Sequence, residues 1–195
     1  MTRAIGARWL VAGAAALVLT SCGGNGGASP TLPGSASRPA AISAPFNEAD
    51  VTFTQLMIPQ FQQAVTMADL ALVHATDPQL RQLAAQIKAA QQPQMQTFLG
   101  WLTTWGKEPM GHEVDHTTVP GRITSDDFVK LMAAKGVAFD RLFAQLMTMH
   151  HNGALKIARD ELAHGTNAAA KAAAATIERT HTTDVATLRE ILNRR

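Results

Sequence analysis

The chain has a single cysteine, Cys22, no tyrosine, and aromatic residues at only 5% of its 195 positions. One thiol excludes a disulfide framework and any thiolate-bound zinc cluster. Seven Phe and three Trp are thin for a β-sandwich core and suit a helical core of Ala, Leu and Met. Charge is scarce too, at 16% against 46% hydrophobic residues, which excludes a disordered acidic or polybasic chain. The length allows one domain of ordinary size and a tail. No Gly-x-Ser-x-Gly elbow or phosphate loop occurs, and the carboxylates show no pairing for acid/base work. No catalytic residue is expected, and the chain is not expected to be an enzyme.

Residues 1–21 have the order of an export signal. Arg3 and Arg8 precede an apolar run from Trp9 to Leu19, and Leu19-Thr20-Ser21-Cys22 closes it. The run is too short to span a bilayer as a permanent helix. A small residue just before the only cysteine resembles the bacterial lipobox, which implies lipidation at Cys22 and a place at the outer face of the cell membrane. Residues 22–45, rich in Gly, Ser, Pro and Ala, read as a flexible tether. Removing Arg3 and Arg8 from the 17 basic residues leaves 15 against 15 acidic ones, so the net charge of +2 belongs to the signal. Nucleic acid is therefore not an expected partner.

Residues 46–195 carry an internal duplication. Displaced by 90 positions, Phe53-Thr-Gln-Leu-Met57 lies over Phe143-Ala-Gln-Leu-Met147, and Ala64, Ala68, Leu72, His74, Ile87 and Leu102 also meet identical residues. Each copy, about 50–105 and 137–195, reads as a helical hairpin. Asn47 with Asp50 caps a helix reaching His74, and Asp77-Pro78 opens one that runs to Trp105 and stops at Gly106. Pro59 and Pro93 should kink these helices or shift their starts. Ser125 opens a short helix ending near Gly136. The next runs from about Val137 to His164, where Gly165 stops it, and Asn167 caps the last, to about Asn193. Phe139, Leu142, Phe143, Leu146, Met147, His150, Ala154 and Ile157 follow the spacing of one buried stripe. The expected fold is all-α, a four-helix bundle with a long connector over 106–136.

The chemistry concentrates in Met147-Thr-Met-His150-His151. On a helix Met147 lies three and four residues before the histidines, so all three share a face. With the hairpin turn centred near 166, His181 comes level with His151 and Asp184 level with Thr148. Two or three imidazoles with a thioether suit copper, the thioether favouring Cu(I), while the imidazoles alone would also take zinc. The candidate metal residues are Met147, His150, His151, His181 and Asp184, the last as ligand or supporting carboxylate.

Met147-Thr-Met-His150-His151-Asn-Gly-Ala154-Leu155-Lys-Ile157-Ala158 resembles the repeated Met-x-x-His-His-x-x-Ala helix of the bacterial "domain of unknown function 305" family. Gln91-x-x-Gln94-Met95-x-x-Phe98-x-x-Trp101-Leu102 is similar to that family's partner helix. The resemblance covers about residues 50–195 and implies a ferritin-like bundle with copper-binding relatives of the CopM type. The first copy departs from the pattern, with Gln60-Phe61 in place of His-His. In the second partner helix His181 and Asp184 replace the family's Gln and Glu. Half of the implied ligands are thus absent from one hairpin, and a second copy of the chain in a homodimer could complete the set.

Two other patterns compete. Glu161-x-x-His164 and Glu178-x-x-His181 have di-iron spacing, but the other two helices lack the matching glutamates and the two motifs differ in height. His112, Glu113, Asp115 and His116 form a polar connector segment, more simply a solvated loop than a metal-capturing one. The leading expectation is a lipid-anchored envelope protein that binds or buffers copper. A structural or interaction protein of the same fold is the alternative, and a di-iron oxidase stands third.

Overall fold

Asn47 opens the first helix with a capping box. Its side chain accepts from the Ala49 and Asp50 amides at 3.0 and 3.1 Å, and Asp50 accepts in return from the Asn47 amide at 2.7 Å. The structure, a computed structural model, describes residues 44–110 and 119–194. The export signal, the tether up to residue 43, Cys22 and the segment from His112 to His116 lie outside the described residues.

Helix α1 (Glu48–His74) and α2 (Pro78–Trp105) form the first hairpin. A short α3 (Ser125–Ala133) follows, and α4 (Gly136–His164) and α5 (Ala168–Asn193) form the second. Asp77 caps α2 with Pro78 at its first position, and Asn167 caps α5 through the Ala169 and Ala170 amides. Each such cap contributes about 1 kcal/mol by pairing amides that the helix leaves free. Gly106 ends α2 in the left-handed conformation, at φ 65°. Pro59 and Pro93 neither delay nor end their helices, which continue through both.

The fold is all-α: four long helices form a bundle, and α3 packs against α4. The hairpins associate mainly through α1 and α4. The start of α4 meets the end of α1 and the start of α1 meets the end of α4, so the two run antiparallel. Where the connector returns, Gly121 (φ 71°) lies against Gly153 of α4, and a Cβ on Gly153 would overlap the Pro120 carbonyl. Among the described residues, no helix is long and apolar enough to cross a membrane.

Two apolar clusters fill the interior. One gathers Met67, Leu80, Phe139, Phe143, Met147 and Leu188, and the other Phe53, Met57, Phe61, Phe98, Trp101 and Ile177. Burying each large side chain contributes roughly 1.5–3 kcal/mol. A polar layer separates them. Along α4, His150 and His151 come after Met147 of the first cluster and before Ala154 of the second. Along α5, His181 comes after Ile177 of the second and before Leu188 of the first.

Candidate metal centre

His150, His151, His181, Gln60 and Gln91 are all buried in this layer, His150 and His151 at 0% exposure. The stripe that buries Met147 and Ala154 carries the two histidines inward with it, because the four share one face of α4. His151 and His181 stack with ring centroids 4.0 Å apart and planes at 18°. The His150 ring lies 5.9 Å from that of His151. His151 Nε2 is 3.2 Å from Oδ2 of Asp184, whose side chain keeps 20% of its exposure. Asp184 therefore reaches His151, one turn beyond the Thr148 level that the hairpin register predicts.

Hydrogen bonding sets the tautomers. The Asp184 carboxylate only accepts, so His151 donates to it from Nε2. The Gln91 amide nitrogen lies 3.2 Å from His181 Nε2 and only donates, which leaves the His181 proton on Nδ1. Neither ring nitrogen of His150 makes a well-formed hydrogen bond, although the Gln60 backbone lies near enough to act on the ring, and Nδ1 of His151 and Nδ1 of His181 have no partner. Oε1 of Gln60, Oε1 of Gln91 and Oγ1 of Thr148 are also buried and unpartnered.

Burial holds His150 neutral, lowering it to about 3, with the neighbouring His151 adding to the shift and the Gln60 backbone opposing it. His181 is pushed well below the ordinary imidazole value by burial first, and then by His151 and His150. Neutral imidazoles with lone pairs unengaged are the form that borderline and soft metal ions bind. His150 meets that requirement as it stands, and His181 meets it in its other tautomer.

The candidate residues are only partly brought together. His151, His181 and Asp184 touch, and His150 adjoins them. Met147 is fully buried but packs with the apolar cluster a turn away. Among the described residues, no three His, Cys, Asp or Glu side chains converge as a preformed metal cage. The parallel His151–His181 stack is one cause, since it presents ring faces to each other and lone pairs elsewhere. The two Glu-x-x-His patterns do not meet: Glu178 pairs with Arg159 at 2.8 Å, and His164 is exposed at the bundle end. Gln60 and Gln91 are members of the layer that the metal-ligand pattern passes over. The 90-residue offset could have found them, because it superposes Gln60 on His150 and Gln91 on His181.

The family model described as "Domain of unknown function (DUF305)" matches residues 50–192. The chain belongs to the DUF305 family. Among solved structures, this DUF305 chain is similar to a DUF305 protein from Streptomyces coelicolor, at 26% identity and a TM-score of 0.70, covering 75% of this chain and 93% of that one. A DUF305 fragment from Deinococcus radiodurans matches at 25% identity and TM-score 0.70, covering 77% and 99%. CopM in its Cu(I)-bound form matches at 25% identity and TM-score 0.63, covering 72% and 93%. No curated protein matches the chain.

Proposed function

We propose that this DUF305 protein binds or buffers copper in the polar layer between its apolar clusters, with His150 and His151 as primary ligands and His181 as a third. Asp184 orients His151, and Met147 supplies a thioether one turn away. The supporting observation is the set of buried imidazole nitrogens without a partner. A buried polar atom left unpaired costs roughly 1–3 kcal/mol, and coordination satisfies an imidazole nitrogen without a proton. Bound copper would supply affinity for soft donors, and the chain's own part is to hold neutral rings in a dry layer. The similarity to CopM, solved in Cu(I)-bound and Cu(II)-bound forms, favours copper over zinc. Binding, without turnover, is the proposed role.

A Cu(I) competition titration against a chromophoric chelator tests the site. The native chain is expected to bind tightly, and His150→Ala/His151→Ala to lose that binding while its helical circular dichroism is retained. Equal affinity in the two proteins would place the copper elsewhere. The proposal also sets the bundle at the outer face of a membrane through a lipid on Cys22. Cys22→Ser should then move the protein from the membrane to the soluble fraction, and an unchanged distribution would remove the anchor.

A second reading, a scaffold that keeps the bundle without metal, draws on Gln60 and Phe61 at the positions equivalent to His150 and His151. A melting temperature unmoved by excess copper would favour it.

A further inference from the structure

At each end of the bundle an aspartate near the start of one inner helix clamps the turn of the opposite hairpin. Asp140 of α4 accepts from the Thr76 amide at 2.9 Å, the Thr76 hydroxyl at 2.6 Å and the Asp77 amide at 3.1 Å. Asp50 of α1 accepts from the Thr166 amide and hydroxyl, both at 3.1 Å, and from the Asn167 amide at 2.9 Å. All three pairs of positions differ by 90, so the duplication built the same clamp twice.

The ends differ in what lies behind the clamp. Position 71 is alanine, while its equivalent is Glu161, 1% exposed, with its carboxyl against Gly165 of the clamped turn and beside the Asp50 side chain. Neither Glu161 oxygen has a hydrogen-bond donor facing it. The following turn makes room for it, since a Cβ on Gly165 would overlap the Glu161 carboxyl, and the equivalent of Gly165 is Ala75. Two bare carboxylates are both acceptors and cannot bond each other. Asp50, held by backbone amides and a hydroxyl, is the one that keeps its charge, so the proton resides on Glu161.

We propose that Asp50 and Glu161 form a proton-held latch. The Glu161 carboxylic acid donates to the Asp50 carboxylate and fastens the α4–α5 turn to the start of α1, and loss of that one proton to solvent loosens the turn. The α1–α2 turn, with Ala71 in the equivalent place, has no such response.

Burial, aided by Asp50, raises Glu161 to about 8, and Lys171 opposes the shift. Burial also acts to raise Asp50, but bonds from Asn47, Asn167, Glu161 and Thr166 outweigh it and lower its value. The charged groups around Glu161 are Asp50 and Glu48 of α1, Asp160 and His164 of α4, and Lys171 of α5, whose Nζ lies 3.2 Å from the Gly165 carbonyl. The first four border a cleft of about 520 Å³ or lie beside it, which gives the released proton a way out. The native latch binds a proton that the unfolded Glu161 has given up above its ordinary 4.5, so its stabilisation falls as pH rises from there to about 8. His150 and His181 are lowered instead, so their dependence runs the other way, and substituting Glu161 leaves it in place.

Amide hydrogen exchange of the full chain at pH 6 and pH 9, corrected for base catalysis, tests the latch. Protection of the Thr166 and Asn167 amides is expected to fall at least tenfold at the higher pH, while Thr76 and Asp77 keep theirs. Glu161→Gln, which keeps a donor toward Asp50 and cannot ionise, should remove the difference. Should that variant misfold, Glu161→Ala/Gly165→Ala, copying the Ala71–Ala75 pair, should remove it as well. Equal loss at the two turns, no loss at either, or a native-like profile in the substituted protein would overturn the proposal.

Discussion

Phe61 in the first hairpin and His151 in the second occupy equivalent positions, and both are fully buried. Phe61 meets Phe98 edge-on at 5.2 Å and extends an aromatic cluster through Trp101 to Trp105, whereas His151 stacks on His181 and reaches Asp184. Around them the frames agree. Met57 and Met147 are equivalent and buried, one in each apolar cluster, and the two aspartate clamps match donor for donor. Even a surface ion pair is duplicated with its charges exchanged, Asp69–Lys88 at 2.6 Å in one hairpin and Arg159–Glu178 at 2.8 Å in the other. A duplicated bundle keeps its packing because volume must fit in both halves. The polar chemistry needs only one half, so the other is free to become apolar.

The largest effect should come from breaking that comparison at Gly153, whose equivalent is Gln63. Gly153 lies against the Pro120–Gly121 backbone, while Gln63 makes two hydrogen bonds to the Ile123 backbone at 3.0 and 3.1 Å. Backbone atoms cannot rotate away from a new methyl group, so Gly153→Ala should destabilise by about 3 kcal/mol or more. Gln63→Ala should cost only about 1 kcal/mol. Urea unfolding of both variants would reveal a reversed order, and with it a connector packed differently from the one described.

A smaller effect follows from making the halves alike. Gln60→His/Phe61→His replaces part of the Phe61–Phe98 contact with imidazole and should cost about 2 kcal/mol without metal. On the proposed function, the same variant should take up a second equivalent of Cu(I). Unchanged stoichiometry would show that the second hairpin's site depends on more than its His-His pair. The smallest effect belongs to the exchanged ion pairs. All four side chains keep a third or more of their exposure, so Asp69→Ala and Arg159→Ala should each change stability by about 0.5 kcal/mol or less. A larger, salt-sensitive loss at either would mean that the pair carries structural weight.

Much of the frame is legible in the chain. Asn47, Asp77-Pro78, Gly106 and Asn167 act locally, each pairing or ending a backbone within a few residues, and the helices begin and end where these residues place them. The hairpin register brings His181 to His151 by counting alone. It fails by one turn for Asp184, because side chains lean toward the N-terminus of their helix, which in an antiparallel pair brings the Asp184 carboxylate and the His151 ring toward each other. Gln91 and Gln60 carry no metal-ligand signature, so only their superposition on His181 and His150 marks them.

What the sequence determined by itself was therefore local or periodic: caps, stops, the apolar stripe, and a 90-residue repeat that dictates two hairpins. The tertiary structure decided which side chains share a proton or a donor across the bundle. His151 with Asp184, His181 with Gln91, and Glu161 with Asp50 each join side chains carried by different helices. Burial of that kind depends on how the helices stack, and no single helix encodes it.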